Sequence, residues 1–254
     1  MVLPALTKAR EQALSIICKN NLHQMGLGLQ IYIDQNNHNF PKYSQIPNGG
    51  AGFNGLIYDS NKWNALLVPY DKMPLTNAAS QCPIYARNHG VFDGEPVFRS
   101  YAINATGTGT GFEGGPEMRL GISPPAGIPY APIRESQVVM PSEMFAIGDT
   151  REFFVPAGLA QYFLYLKRTE FSFGFDYLSP FINNDVEIQS SAALTNEFAP
   201  PHAQGYNVLH VDGHVAQVTR RNIYYLPVAA PHWNNDHQPH PETWLPKDQW
   251  AVQQ

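Results

Sequence analysis

The chain has 254 residues and a formal net charge of -5, and its length allows it to bury a substantial core. Only 15% of the residues are charged, so the surface offers no basic patch of the kind that binds nucleic acid. No stretch reaches the roughly 18 consecutive apolar residues that cross a bilayer. The high content of aromatic residues, proline and glycine is more common in secreted proteins than in cytosolic enzymes.

A long amphipathic helix is predicted from about Pro4 to about Gln35. Apolar residues recur there every three or four positions, as on one helix face. They are Leu6, Ala9, Ala13, Ile16, Ile17, Met25, Leu29, Tyr32 and Ile33. The helix should end where the segment NNHNFP supplies asparagine and then Pro41. Gly26 and Gly28 lower helix stability, so we expect another element to pack closely against them.

A short helix is predicted in NKWNALLVPY, residues 61–70, and short strands follow it. The predicted strands are FRSYAINA, MRLGI, SEMFAIGDT and GYNVLHV, each bounded by Gly, Pro or Asp. One long helix followed by strands predicts an α+β fold in which the helix covers one face of an antiparallel sheet. We divide the chain into a helical spine, residues 1–40, and a globular domain, residues 41–254.

An insertion in the globular domain is predicted at about 151–200. This segment is rich in Phe and Tyr but shows no sustained hydrophobic period. Its rings form either a satellite core beneath the insertion or a groove in which they could stack on sugars.

The two cysteines, Cys18 and Cys82, permit one intramolecular disulfide. A disulfide would join the long helix to a loop and stabilise the fold by about 4 kcal/mol in the chain-entropy model. The alternative is a pair of buried free thiols.

The segment HAQGYNVLHVDGHV, residues 202–215, holds three histidines and an Asp-Gly pair. Asp-Gly between two alternating apolar runs predicts a β-hairpin with Asp212 and Gly213 at the centre of its turn. In that register His210 and His214 lie on opposite faces of the hairpin. We expect Asp212 to accept hydrogen bonds from backbone amides of the turn, and His202 to reach back toward it.

A metal site is the alternative interpretation of the same segment. If the chain stayed extended, His210, Asp212 and His214 would alternate onto one side and offer three ligands to zinc or a similar divalent ion. A single histidine on a sheet face is more often structural, and the Asp-Gly pair favours a turn. We therefore predict no cofactor, with a divalent metal as the alternative.

The C-terminal segment PHWNNDHQPHPETW, residues 231–244, combines rings, histidines and acids. It could bind a metal, stack a sugar, or wrap the sheet with rings inward and amides outward, and wrapping is the default interpretation. Its spacing matches no zinc signature. The residues that could bind a ligand are Trp233, Asp236, His240, Glu242 and Trp244.

These motifs together resemble a known family. LPALTKAREQALSIICKNNLHQMGLGLQIYIDQNNHNFP is followed in order by KWNALLVPY, QCPIYA, SYAIN, VVMPSEMFAIGDT and HAQGYNVLHVDGHV. This order is similar to that of type IV pilin-like and type II secretion pseudopilin-like proteins, a prepilin-type family of planctomycetes, verrucomicrobia and lentisphaerae. The family's His, nine residues, Asp-Gly motif falls on His202, Asp212 and Gly213. The resemblance covers most of the chain outside about 151–200.

The resemblance implies a pilin-like fold, a helical spine packed on an antiparallel sheet. It also implies export to the cell envelope or the extracellular space, with other pilin-like subunits or secretion machinery as partners. The family normally opens with a prepilin leader and an apolar anchor, and this sequence shows neither. Contact with a membrane is therefore expected only through such a missing segment.

Two functional hypotheses follow. The first is a structural or binding subunit that contacts other proteins and extracellular polysaccharide, since the sequence has no Gly-x-Ser-x-Gly elbow and no phosphate-binding glycine loop. The second is a glycoside hydrolase that uses two carboxylates about 5 to 9 Å apart. Glu152 and Asp176, in the insertion, are the candidate catalytic pair. Other carboxylates near aromatic residues in the sequence are Asp149, Asp212 and Glu242.

Overall fold

The structure is a computed structural model that describes residues 3–42, 63–71, 82–84, 101–109, 119–123, 131–149, 153–155, 171–173, 177–178, 202 and 205–243. Among the described residues, the helices α1 (Leu3–Gln35) and α2 (Trp63–Asp71) precede the strands, and both confirm the sequence-based predictions. Just beyond α1 the chain takes positive φ angles of 55° and 58° at Asn37 and His38. Among the described helices, none is both long enough and apolar enough to cross a membrane.

A five-stranded sheet forms the centre of the fold. Its strands are β1 (Tyr101–Asn104), β2 (Phe145–Asp149), β5 (Tyr177–Leu178), β6 (Tyr206–His210) and β7 (Val215–Val218). They lie in the order β5-β1-β2-β6-β7, and the pairs β1–β2, β2–β6 and β6–β7 are antiparallel, whereas β5 runs parallel to β1. An α+β fold with a helix and an antiparallel sheet is thus confirmed.

Within the predicted insertion, 151–200, the structure describes only short pieces of backbone. They include β3 (Phe153–Val155) and β4 (Phe171–Phe173), which pair antiparallel in a separate two-stranded sheet. The candidate catalytic residues Glu152 and Asp176 lie outside the described residues.

Helix α1 packs on one face of the five-stranded sheet. Its buried residues are Cys18, Leu22, Met25, Leu29 and Ile33. Both helix glycines are sites of close approach, as predicted. A Cβ atom at Gly26 would lie 2.8 Å from Cδ1 of Leu209 in β6, and one at Gly28 would lie 2.7 Å from Cβ of Asp71 in α2. Each glycine therefore allows a neighbouring element to pack against the helix backbone.

The predicted buried face is wrong in the first half of α1. Leu6, Ile16 and Ile17 are 64%, 59% and 46% exposed, respectively. The apolar residues of α1 form two stripes on different sides of the helix, and the sequence pattern merged them into one. Only the stripe that contains Met25 and Leu29 faces the sheet.

The opposite face of the sheet is covered by the C-terminal helices α3 (Arg220–Tyr224) and α4 (Leu226–Trp233). These helices contribute Ile223, Ala229 and Trp233 to a second apolar cluster with Ala102, Phe145, Tyr206 and Val208 of the sheet. The sheet therefore lies between α1 and the C-terminal helices. The predicted wrapping of the sheet, with rings inward, is confirmed for Trp233, which is fully buried.

The amides of this wrapping segment do not point outward as predicted. Asn234 and Asn235 are buried, because their side chains bond backbone groups of neighbouring loops. Oδ1 of Asn234 accepts from the backbone N–H of Thr108 at 2.8 Å, and Nδ2 of Asn235 donates to the carbonyl of Gly121 at 3.0 Å. Buried amides satisfied in this way hold the tail against the end of β1.

The predicted strand MRLGI does not form over its described residues, 119–122. The backbone N–H groups of Ile122 and Ser123 donate to the carbonyls of Asn104, the last residue of β1, and Ala105, at 3.1 and 3.2 Å. Leu120 offers its carbonyl to the backbone N–H of Asn235 at 2.7 Å. The segment is therefore a loop that connects the sheet to the C-terminal tail.

Candidate functional site

The β6–β7 hairpin forms at the predicted Asp-Gly pair, but the predicted register of its strands is wrong by one residue. Leu209 pairs with Val215, so the loop has three residues and His210 lies opposite His214. The cause is the backbone of the loop. Gly213 has a φ angle of 93°, whereas Asp212 is not among the described residues with positive φ, and the predicted two-residue turn needs positive φ at both central positions.

His210 and His214 consequently share one face of the hairpin, in contrast to the prediction. Their rings stack with centroids 4.0 Å apart and planes 16° apart. Asp212 stabilises the loop as predicted, because its Oδ1 accepts from the backbone N–H of His214 at 3.1 Å and lies 2.7 Å from Nδ1 of the same residue. His210, Asp212 and His214 do not converge in a metal-like group among the described residues.

His202 lies beside Asp149, not beside Asp212 as predicted. Nε2 of His202 is 3.2 Å from Oδ2 of Asp149, and the same oxygen accepts from the backbone N–H of Asn207 at 2.6 Å. Asp149 is the last residue of β2 and Asn207 lies in the adjacent strand β6, so the sheet register brings these groups together. Asp149 and His202 are 0% and 2% exposed, which makes them a buried acid–imidazole pair.

Burial raises the pKa of Asp149, although the contacts with His202 and Asn207 act in the opposite direction. Burial also raises the pKa of Tyr101, with a further contribution from the negative charge of Asp149. The second oxygen of Asp149, Oδ1, is buried without a hydrogen-bond partner among the described residues, as is Nδ1 of His202. These groups have the chemistry of an acid–base pair, but their burial closes them to a large substrate.

Cys18 and Cys82 form a disulfide, which decides between the two alternatives that the sequence left open. The bond joins α1 to residues 82–84, and both cysteines are fully buried. Sγ of Cys82 lies 3.6 Å from Nε2 of His202. The disulfide and the Asp149–His202 pair are therefore parts of one buried cluster between α1 and the sheet.

A second cluster lies where β2 begins and α4 ends. It contains Glu143, His232 and His237, which are half-buried and whose ligand-type atoms all lie within 4.8 Å of one another. Phe145 supports it, because the ring of His232 stacks on Phe145 with centroids 5.5 Å apart. His210 contacts the same phenylalanine edge to face at 5.4 Å. Sequence reasoning missed this cluster.

The C-terminal candidate residues divide into a buried ring and a partly exposed triad. Trp233 is fully buried and donates from Nε1 to the carbonyl of Ile223 at 2.8 Å, so no face of its ring is open to a sugar. Nε2 of His240 lies 2.6 Å from Asp236, and its Nδ1 lies 2.8 Å from Glu242. Partial burial lowers the pKa of His240, but the two acids outweigh it, and the net shift is upward. Trp244 lies outside the described residues.

The stability of the fold is expected to decrease as the pH falls through the titration range of His210. Burial, followed by the neighbouring His214, lowers the pKa of His210 from 6.5 to about 4. The unfolded state therefore binds the proton first, and stability present above pH 6.5 is lost between about pH 6.5 and pH 4. The loss is at most about 3 kcal/mol.

Urea denaturation in chelator-containing buffer at pH 7 and pH 4 measures this loss. His210→Leu should reduce the difference between the two pH values, whereas His38→Ala, at an exposed position, should not. An unchanged difference in His210→Leu would assign the acid sensitivity to other groups.

A comparison of the chain with protein-family models, with curated protein sequences and with solved structures finds no match in any of the three. We therefore infer the function from the sequence motifs and from the described side chains.

Proposed function

We propose that the chain is a pseudopilin-like structural subunit that is exported to the cell envelope and that packs through α1 against further subunits. The observation that carries the proposal is the second apolar stripe of α1. The stripe consists of Leu6, Ile16, Ile17, Leu27 and Ile31, all of which are between 41% and 64% exposed. A structural subunit of this kind needs an exposed helical surface and no catalytic group.

The stripe lies on one side of the helix. Leu6 and Ile17 are 11 residues apart, as are Ile16 and Leu27, and 11 residues make about three turns of an α-helix. Ile31 follows Leu27 by four residues, which places it one turn farther along the same side. Exposed apolar residues scattered singly are ordinary on a protein surface, but apolar residues that recur on one side of a helix are typical of helix–helix interfaces.

The exposed side chains of α1 begin at its first described turns. Residues 6–10 are all exposed, and the first buried residue after them is Cys18. The buried residues from Cys18 onward position the helix on the sheet. The exposed apolar residues are available to contact other helices.

The disulfide between Cys18 and Cys82 supports the exported location. Disulfides persist in oxidising compartments such as the bacterial periplasm and the extracellular space, and are rare in the cytosol of mesophiles. The polar and aromatic composition of the sequence is consistent with the same setting. Extracellular polysaccharide would be a further partner there.

Sedimentation equilibrium of the full chain over a range of concentrations tests the proposal. We expect a mass that increases with concentration, and a double variant Ile16→Ser with Ile17→Ser that associates at least tenfold more weakly. Burial of one isoleucine contributes about 1.5 to 3 kcal/mol, and about 1.4 kcal/mol corresponds to a factor of ten.

Val139→Ser is the matched control, because Val139 is 62% exposed but lies outside α1. This control should associate like the unmodified chain. A chain that remains monomeric at all concentrations, or that loses association equally in both variants, would contradict helix packing through the stripe. No contact among the described residues favours the hydrolase hypothesis. It remains a prediction.

A further inference from the structure

We propose that Glu143, His232 and His237 bind a divalent cation of the zinc type. The proposal goes beyond the structural role and does not depend on it. Two imidazoles and one carboxylate form a ligand set found in zinc sites that keep a fourth position open for water. Glu143 is distant in the sequence from the two histidines, so the fold brings the carboxylate to them.

Two of the three donor separations are close to those that a zinc ion requires. Nδ1 of His232 lies 3.7 Å from Oε2 of Glu143, and Nε2 of His237 lies 3.5 Å from the same oxygen. Zinc bonds to nitrogen and oxygen are about 2.0 to 2.2 Å long, which places tetrahedral donors about 3.4 Å apart. The third separation, between the two imidazoles, is at most 4.8 Å, so binding requires the two imidazoles to approach each other by up to about 1.4 Å.

The scaffold restricts the movement of each ligand. Glu143 lies in a turn, where its backbone N–H donates to the carbonyl of Met140 at 3.0 Å. His232 lies in the last turn of α4, with its ring on Phe145. His237 has a positive φ of 57° and donates its backbone N–H to Asn234 at 3.0 Å. Folding therefore restricts the three side chains before an ion binds, which lowers the entropy cost of binding.

The ring of His237 is available to coordinate an ion through Nε2. Among the described residues, Nδ1 of His237 is buried without a hydrogen-bond partner, so no contact there fixes the ring proton on Nε2. Coordination through Nε2 places the ring proton on Nδ1.

One hydrogen bond must be exchanged when the ion binds. Nδ1 of His232 lies 3.1 Å from the backbone carbonyl of Glu143, to which it donates when it carries the proton. Coordination through Nδ1 requires the proton to be on Nε2 instead. The ion bond replaces the hydrogen bond, and the ring keeps its position on Phe145. The oxidised pair Cys18 and Cys82 offers no thiolate to compete for the ion.

Calorimetric titration of the full chain with Zn²⁺, without reductant, tests the proposal. We expect one site, and at least a tenfold loss of affinity in Glu143→Gln and in His237→Gln, since even the loss of an outer-shell partner costs about 10- to 100-fold. His38→Ala is the matched control. His38 forms a single histidine–glutamate pair with Glu135 at 3.3 Å and should leave the affinity unchanged.

Folding and geometry are measured separately. Thermal unfolding in chelator should be the same for the variants and the unmodified chain, because the substituted side chains are partly exposed. Co²⁺ at the site should show the strong visible absorption of tetrahedral coordination, and Glu143→Gln should abolish it. Absence of Zn²⁺ binding, or an affinity that decreases as much in His38→Ala as in Glu143→Gln and His237→Gln, would overturn the assignment.

Discussion

Asp149→Ala is expected to lower the free energy of unfolding by about 2 to 6 kcal/mol, because it leaves two buried groups without their partner and each such group costs about 1 to 3 kcal/mol. The substitution removes the oxygen that lies 3.2 Å from His202 and that accepts the backbone N–H of Asn207. Both groups would remain buried without that partner in the centre of the fold. Urea denaturation at pH 7 measures the loss.

Asp149→Asn is the control that separates hydrogen bonding from charge. An amide oxygen at the position of Oδ2 can accept both bonds. We expect a smaller loss than in Asp149→Ala. Burial raises the pKa of Asp149, so the fold loses stability as the pH rises above the usual pKa of an aspartate and the buried carboxyl ionises. Asp149→Asn should remove this pH dependence. Equal losses in the two variants would contradict the hydrogen-bonding role.

Removal of the disulfide by Cys18→Ala with Cys82→Ala is expected to lower the free energy of unfolding by about 4 kcal/mol. The bond closes a loop between residues 64 apart in the sequence, and the reduced unfolded chain gains the conformational entropy of that loop. Equilibrium denaturation measures the difference at pH 7.

Reduction of the unmodified chain provides the control for the packing of the substituted side chains. The reduced chain and the double variant should lose similar amounts of stability, since both lack the covalent link. A double variant as stable as the oxidised chain would show that the link contributes little and that α1 is held by its apolar contacts alone.

The sequence was sufficient to predict elements with a strong local signal. The bounds of α1 follow from its period and from the asparagines after Gln35, and close packing at Gly26 and Gly28 follows from the cost of glycine in a helix. The Asp-Gly pair located the hairpin turn. Its register could not be predicted, because Asp-Gly fits both a two-residue loop and a three-residue loop with glycine last.

The two clusters of side chains could not be predicted, because each depends on contacts distant in the sequence. Asp149 and His202 meet through the pairing of β2 with β6, a register that no local pattern specifies. Glu143 and His232 are 89 residues apart and meet because β2 begins where α4 ends. The only local signal for the second cluster was the pair of histidines at 232 and 237. The candidate pair Glu152 and Asp176 remains a prediction.

The proposed packing of subunits through the exposed stripe of α1 is tested most directly by site-specific photocrosslinking of the full chain. A photoreactive amino acid at Ile16, on the stripe, should give crosslinked oligomers, and peptide mapping should locate the crosslinks in α1 of a second copy. The same group at Lys8, an exposed position outside the stripe, should give few crosslinks. Crosslinks of equal yield from both positions, or none from Ile16, would contradict the proposal.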